Sequence, residues 1–204
     1  MKRYLFIISI CLISLTAYGQ FPSEVWHQGE LILISGDTLN GQIKYDLETD
    51  LVQFSTDQKV IKTYTARKIL HFEISDKISG MRRRFYVLPY NTTGNYEAPI
   101  IFELILEGQK LTLLSREAIE HQVSNYPYAL SGTYTRLVLV FTHYFLTDEG
   151  KIVQFDGRRK SLYRGFMSDK GSEIKRFIKD NRLRPDKRSD LVQIVAYYNS
   201  LFED

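Results

Sequence analysis

The sequence predicts an α+β protein, a mainly antiparallel β meander that closes as a sandwich or small barrel and is followed by two C-terminal amphipathic helices. Three observations carry that reading. Between Leu31 and Phe166 apolar residues alternate with polar ones in short runs; Gly or Asp turns break those runs every eight to twelve residues; and past Ser168 the apolar spacing lengthens to three and four. Strands first and helices last is an α+β order. The chain therefore divides into a β-rich body over 20–166 and a helical pair over 167–204 docked on it as part of the same domain.

In order, Leu31 to Ile34 is a first strand, turned at Ser35-Gly36-Asp37 into an alternating run from Leu39 to Tyr45. Further strands are expected at Leu51 to Phe54, Val60 to Thr65 and Ile69 to Ile74, the last with Leu70, Phe72 and Ile74 on one face. Arg84 to Leu88 reads as another, and Ile100 to Leu106 pairs with Lys110 to Leu114 across Glu107-Gly108-Gln109. Ser115 to Val123 reads as a short helix capped by Ser115, or as a loop. Arg136 to Leu146 is rich in β-branched and aromatic residues, turns at Asp148-Glu149-Gly150 into Ile152 to Phe155, and Ser161 to Phe166 offers one more strand. Ser168 or Asp169 caps a helix through Ile174, Phe177 and Ile178. After Arg184-Pro185-Asp186, the residues Leu191, Ile194, Val195 and Tyr198 form the stripe of a final helix.

The N-terminus predicts an address. Lys2 and Arg3 precede an apolar run from Tyr4 to Leu15 that ends in Ala17-Tyr18-Gly19, the pattern of a signal peptide over 1–19 cleaved before Gln20; a membrane-spanning helix needs about 18 to 20 apolar residues. The expectation is an exported protein, periplasmic or secreted, without a transmembrane span. Cleavage removes Cys11, the single cysteine, so the mature chain folds without disulfides. It also reduces the net charge of +3 to +1. That charge is uneven: residues 157 to 190 carry twelve Lys or Arg against five Asp or Glu, while 20 to 156 carry thirteen against seventeen. Export argues against a nucleic-acid partner. Lys175, Arg176, Lys179, Arg182 and Arg184 form the candidate interaction surface, either a solvated face or an attraction for acidic lipid or a partner.

No catalytic, cofactor-binding or metal-ligating set emerges. His27, His71, His121 and His143 stand in no paired or motif arrangement, so each reads as surface or packed histidine. Glu117 and His121 share a face if helical, but two ligands are too few for zinc. Asp46, Glu48 and Asp50 begin like a calcium loop, yet Leu51 stands where that loop needs Gly, which favours a solvated turn. Arg82, Arg83 and Arg84 read as the charged guard of an exposed edge strand. Tyr86, Tyr90, Tyr96, Tyr126, Tyr128 and Tyr134 form a stacking surface for sugar or peptide, or simply pack on a sheet. Glu30-Leu31-Ile32-Leu33 recurs as Glu103-Leu104-Ile105-Leu106, a duplicated hairpin or a coincidence.

With Ala17-Tyr18-Gly19-Gln20, the hairpin from Gly36 to Ile43 followed by Tyr45-Asp46, and the closing Val195-Ala196-Tyr197-Tyr198-Asn199, the chain resembles uncharacterised exported β-rich proteins of the Bacteroidetes type. The resemblance implies no activity. The Gly-rich hairpin is also similar to that of SH3-like or Sm-like small barrels, which host many functions. The functional expectation is a non-enzymatic envelope protein that binds another protein or an envelope component. Its alternatives are a carrier, marked by an apolar barrel cavity, and a hydrolase, marked by a cleft gathering histidine and carboxylates.

Overall fold

The computed structural model describes residues 21–57, 59–93, 96–125 and 133–203, so the expected signal peptide and Tyr126 and Tyr128 lie outside the described residues. Among the described residues ten strands form one sheet: β1 (His27–Leu33), β2 (Thr38–Asp46), β3 (Leu51–Ser55), β4 (Lys62–Thr65), β5 (Ile69–Ser75), β6 (Arg82–Thr93), β7 (Tyr96–Leu106), β8 (Leu111–Asn125), β9 (Thr133–Thr147) and β10 (Ile152–Gln154). Their order is β10-β9-β8-β7-β6-β5-β1-β2-β3-β4. Two antiparallel meanders, β1 to β4 and β5 to β10, are joined by the antiparallel pairing of β1 with β5.

That order forces the sheet to coil. In a flat sheet β4 would lie four spacings, about 19 Å, from β5. The link between them, Ala66–Lys68, is wound into one 3-10 turn, and even stretched it would reach only about 14 Å. The sheet curls accordingly, far enough that Tyr45 on β2 bonds Glu117 on β8. It does not close, because β4 and β10 remain as its two edges. The expected meander is thus present, folded over its own inner face without completing a barrel.

Strand register places Leu31, Ile43, Phe72 and Phe85 on that inner face, all fully buried. Each contributes about 1.5–3 kcal/mol by leaving water. Phe72 stacks on Phe85 with centroids 4.6 Å apart, and Tyr45 lies 4.9 Å from Phe85. Gly29 pairs with Gly41 on the same face, and a Cβ on Gly41 would fall 2.9 Å from the Phe54 ring. Glycine there lets the ring fill the inside of the bend. The expected phase of β5 is corrected by one position at its start. Ile69, not Leu70, is buried, because the pairing with β1 shifts at Ile32/Leu33.

Ser115 to Val123 is neither helix nor loop; it is the middle of β8, whose fifteen residues pair with β9 throughout. Long-range pairing with the β-branched run of β9 overrides the weak local cap. Ser161 to Phe166 is not a strand. It belongs to α1 (Arg159–Ser161), which continues as a wider turn through Leu162–Phe166, and buried Leu162 and Met167 face the sheet beneath it. Next come α2 (Gly171–Asp180) and α3 (Arg188–Ser200). Neither Ser168 nor Asp169 caps α2; they lie in a 3-10 turn, and Asp169 accepts the Tyr198 hydroxyl at 3.0 Å. Leu191, Ile194, Val195 and Tyr198 pack with Ile174 and Ile178 of α2 on Leu111, Leu113 and Phe145 of the sheet. Asn199 locks the contact. Its Oδ1 accepts from the Lys110 and Leu111 amides, both at 3.0 Å, and its Nδ2 donates to Leu111 O at 2.8 Å.

Candidate functional site

The inner face changes character between the coil and the helix-covered end. There β6 turns Arg83 inward, β7 Glu103 and β8 Glu117, at relative exposures of 7%, 3% and 5%. Arg82 and Arg84 point the other way, as alternation requires, and are exposed. The reading of this triple as an edge guard is corrected: β6 lies between β5 and β7, and its middle arginine is the hub of a buried ionic cluster.

Arg83 donates from Nε and Nη2 to the two oxygens of Glu103, each at 2.9 Å. Nη2 also reaches Glu117 at 2.8 Å, and Nη1 donates to the Tyr45 hydroxyl at 2.7 Å. That hydroxyl donates in turn to Glu117 at 2.6 Å. Arg188, the first residue of α3, adds a second cation to Glu103 at 3.0 Å. Asp76 lies 3.8 Å from Arg83. Its own oxygens accept from the Ile78 amide and the Ser79 hydroxyl, which with Arg83 hold its carboxyl below the ordinary range against the opposing pull of burial. Burial first, and then the carboxylates around it, push the Tyr45 hydroxyl far above its usual titration despite Arg83. His27 accepts the Lys77 amide on Nδ1 at 3.2 Å, so its proton resides on Nε2, directed at Pro22 O 2.7 Å away.

One cleft of about 430 Å³ lies over Arg83, Glu103 and Glu117, walled by Ile78, Met81 and Phe141. A second, of about 570 Å³, runs along Leu139 to His143 towards Pro185. Arg188 divides them, its guanidinium 5.4 Å above the Phe141 ring. Carboxylates and a histidine do gather here. Glu103, Ser115 and His143 even form a row across three strands. The order is wrong for nucleophilic catalysis, however, since serine stands between acid and histidine. Ser115 is fully buried, and its hydroxyl donates to Thr142 O at 3.3 Å. Burial, then Arg188, lowers the pKa of His143, and among the described residues its Nδ1 has no hydrogen-bond partner.

The remaining candidates are placed elsewhere. Glu117 and His121 share a strand face rather than a helix face, and Glu117 is committed to Arg83 and Tyr45 while His121 is exposed. The acidic turn is structural. Asp46 accepts the Glu48 amide and Thr49 hydroxyl, and Asp50, in a left-handed conformation with φ 53°, accepts the Ile101 amide and Arg116, each at 2.8 Å. Arg116 also holds Leu47 O and Ile101 O. This turn wedges between β7 and β8 where their pairing ends at Glu103 and Ser115. Lys175, Arg176, Lys179, Arg182 and Arg184 are all exposed, on α2 and the segment after it. Arg184 is paired with Asp186 at 2.7 Å, and the cation that the helical region lends to the cluster is Arg188 instead. Tyr90 and Tyr144 pack edge to face over Phe102 on the outer face, so Tyr90 serves packing, not an open stacking surface.

Sequence reasoning missed Arg83 and Glu103, although a signal existed. Arg83 shares its phase with Phe85 and Val87, and Glu103 interrupts a run, Ile100 to Leu106, that is apolar on both faces. No family model, curated protein or solved structure matches the chain. Its class rests on geometry: an α+β protein on an open, coiled antiparallel sheet with a buried ionic seam.

Proposed function

We propose that this is an exported, non-enzymatic envelope protein that binds another protein or an envelope component. The observation that carries the reading is the outer half of the β8–β9 hairpin. On one face, continuous with the inner face of the sheet, it sets Ile119 beside Leu139 and His121 beside Leu137. Val123, Leu137 and Phe141 there are 60%, 47% and 39% exposed. Clustered apolar side chains on a projecting arm mark a contact surface. The basic face of Lys175, Arg176, Lys179, Arg182 and Arg184 is a second region for an acidic partner or lipid. Capture of the tagged mature protein from its own envelope, with a photo-crosslinker at residue 137, tests the reading. A partner crosslinked there and lost with Leu137→Glu supports it; an arm that crosslinks to nothing while the variant stays folded rejects it.

A further inference from the structure

The open end of the sheet carries a different kind of site. Among the described residues β10 pairs with β9 alone. Lys151 O accepts from the Thr147 amide and the Phe155 amide donates to His143 O. Antiparallel alternation therefore turns the backbone groups of Ile152 and Gln154 away from β9, outward along a free edge. Beside that edge lies a groove of about 660 Å³ bounded by the β9–β10 turn and α1, with Val153 and Phe166 as apolar lining. Its charge is uneven. Asp148 is held by Lys110 at 3.0 Å and Glu149 by Lys151 at 3.2 Å. Lys160 and Arg164 are exposed and have no acidic partner among the described residues.

We propose that this groove takes an extended acidic segment of another protein, added to β10 as a further strand. Its backbone would bond Ile152 and Gln154, and its groove-side side chains, at every second position, would lay apolar groups over Val153 and Phe166 and carboxylates against Lys160 and Arg164. An anionic lipid surface would meet the same two cations but has no use for the directed backbone donors and acceptors of Ile152 and Gln154 along the edge beside the groove. The site is separate from the β8–β9 arm and names a partner class for the binding role proposed above.

The test uses the mature protein and a fluorescent octapeptide whose alternate positions are Glu and Val in turn, with Thr between them, followed by anisotropy. Expected are saturable binding, a loss of about ten-fold or more in affinity for Lys160→Glu/Arg164→Glu, and loss of binding when alternate peptide nitrogens are methylated, which removes strand pairing but no charge. The same peptide with Lys in place of each Glu should not bind. Leu137→Glu should leave the peptide affinity unchanged, so failure of the arm reading and failure of this one are distinguishable. Circular dichroism confirms that the surface variants fold. Equal binding by the double variant or by the methylated peptide overturns the proposal. So does protein that sediments with phosphatidylglycerol vesicles while ignoring the peptide.

Discussion

The residues Glu-Leu-Ile-Leu occur in β1 and again in β7, and the two strands use them in opposite phase. In β1, Glu30 faces water and Leu31 enters the coil, where Phe72 lies opposite. In β7, Glu103 is buried and Leu104 lies on the outer face, packed with the cluster around Phe102 and Tyr144. A one-residue shift of phase exchanges the faces of a strand. What decides the phase is the surroundings. Arg83 and Arg188 await Glu103, whereas Leu31 is packed among the apolar side chains of the coil. The coil is held by burial of carbon, the seam by pairing of charge, and the two respond differently to substitution.

The largest difference should come from Arg83. Arg83→Met leaves Glu103 and Glu117 buried with too few partners, and urea unfolding should show a loss of about 3–5 kcal/mol. Arg82→Met, one residue away and exposed, should stay within about 0.5 kcal/mol of the parent. If the two match, the seam is not under charge control. In the coil, Leu31→Ala should cost about 3 kcal/mol through the cavity it opens, with the cost unchanged by salt, while Glu30→Ala is near neutral.

Tyr45 belongs to both regions, its ring in the coil and its hydroxyl in the seam. Tyr45→Phe keeps the ring and should cost about 1–3 kcal/mol by stranding Glu117 and Arg83. Because the folded-state pKa of Tyr45 is raised, its stabilisation is whole below its ordinary value of 10.0 and is lost as pH rises above it. Denaturation followed between pH 9 and 11 should be steeper for the parent than for the Phe variant. The smallest effect concerns Asp76. Its depressed pKa gives stability that is full above the ordinary 3.8 and disappears as pH falls through the lower folded value. Asp76→Asn should flatten the acid limb of the stability curve; an unchanged limb would remove Asp76 from the seam.

Alternation and turn residues made the antiparallel strands and the two terminal helices legible from the sequence, because Gly36, Gly150 and the stripe from Leu191 to Tyr198 act locally. The phase of Arg83 was legible in principle. Its meaning was not, since it depends on Glu103, Glu117 and Arg188, brought from 20, 34 and more residues away by a curvature no local pattern encodes. Asn199 was hidden for the same reason. As the penultimate residue of a helix it looks like an ordinary stop signal, and only the 88-residue separation from Leu111 turns it into a clamp.

Arg188 reaches Glu103 across 85 residues of chain, and that span sets a timetable. A polypeptide delivered N-terminus first releases the hairpins of the coil early, and their apolar faces can collapse on contacts close in sequence. Glu103, by contrast, lacks one of its two guanidinium partners until nearly the whole chain has emerged. The molecule thus carries its own completion signal: final locking waits on the last helix, and a chain truncated before it would have an unsealed seam and leave Leu111, Leu113 and Phe145 uncovered.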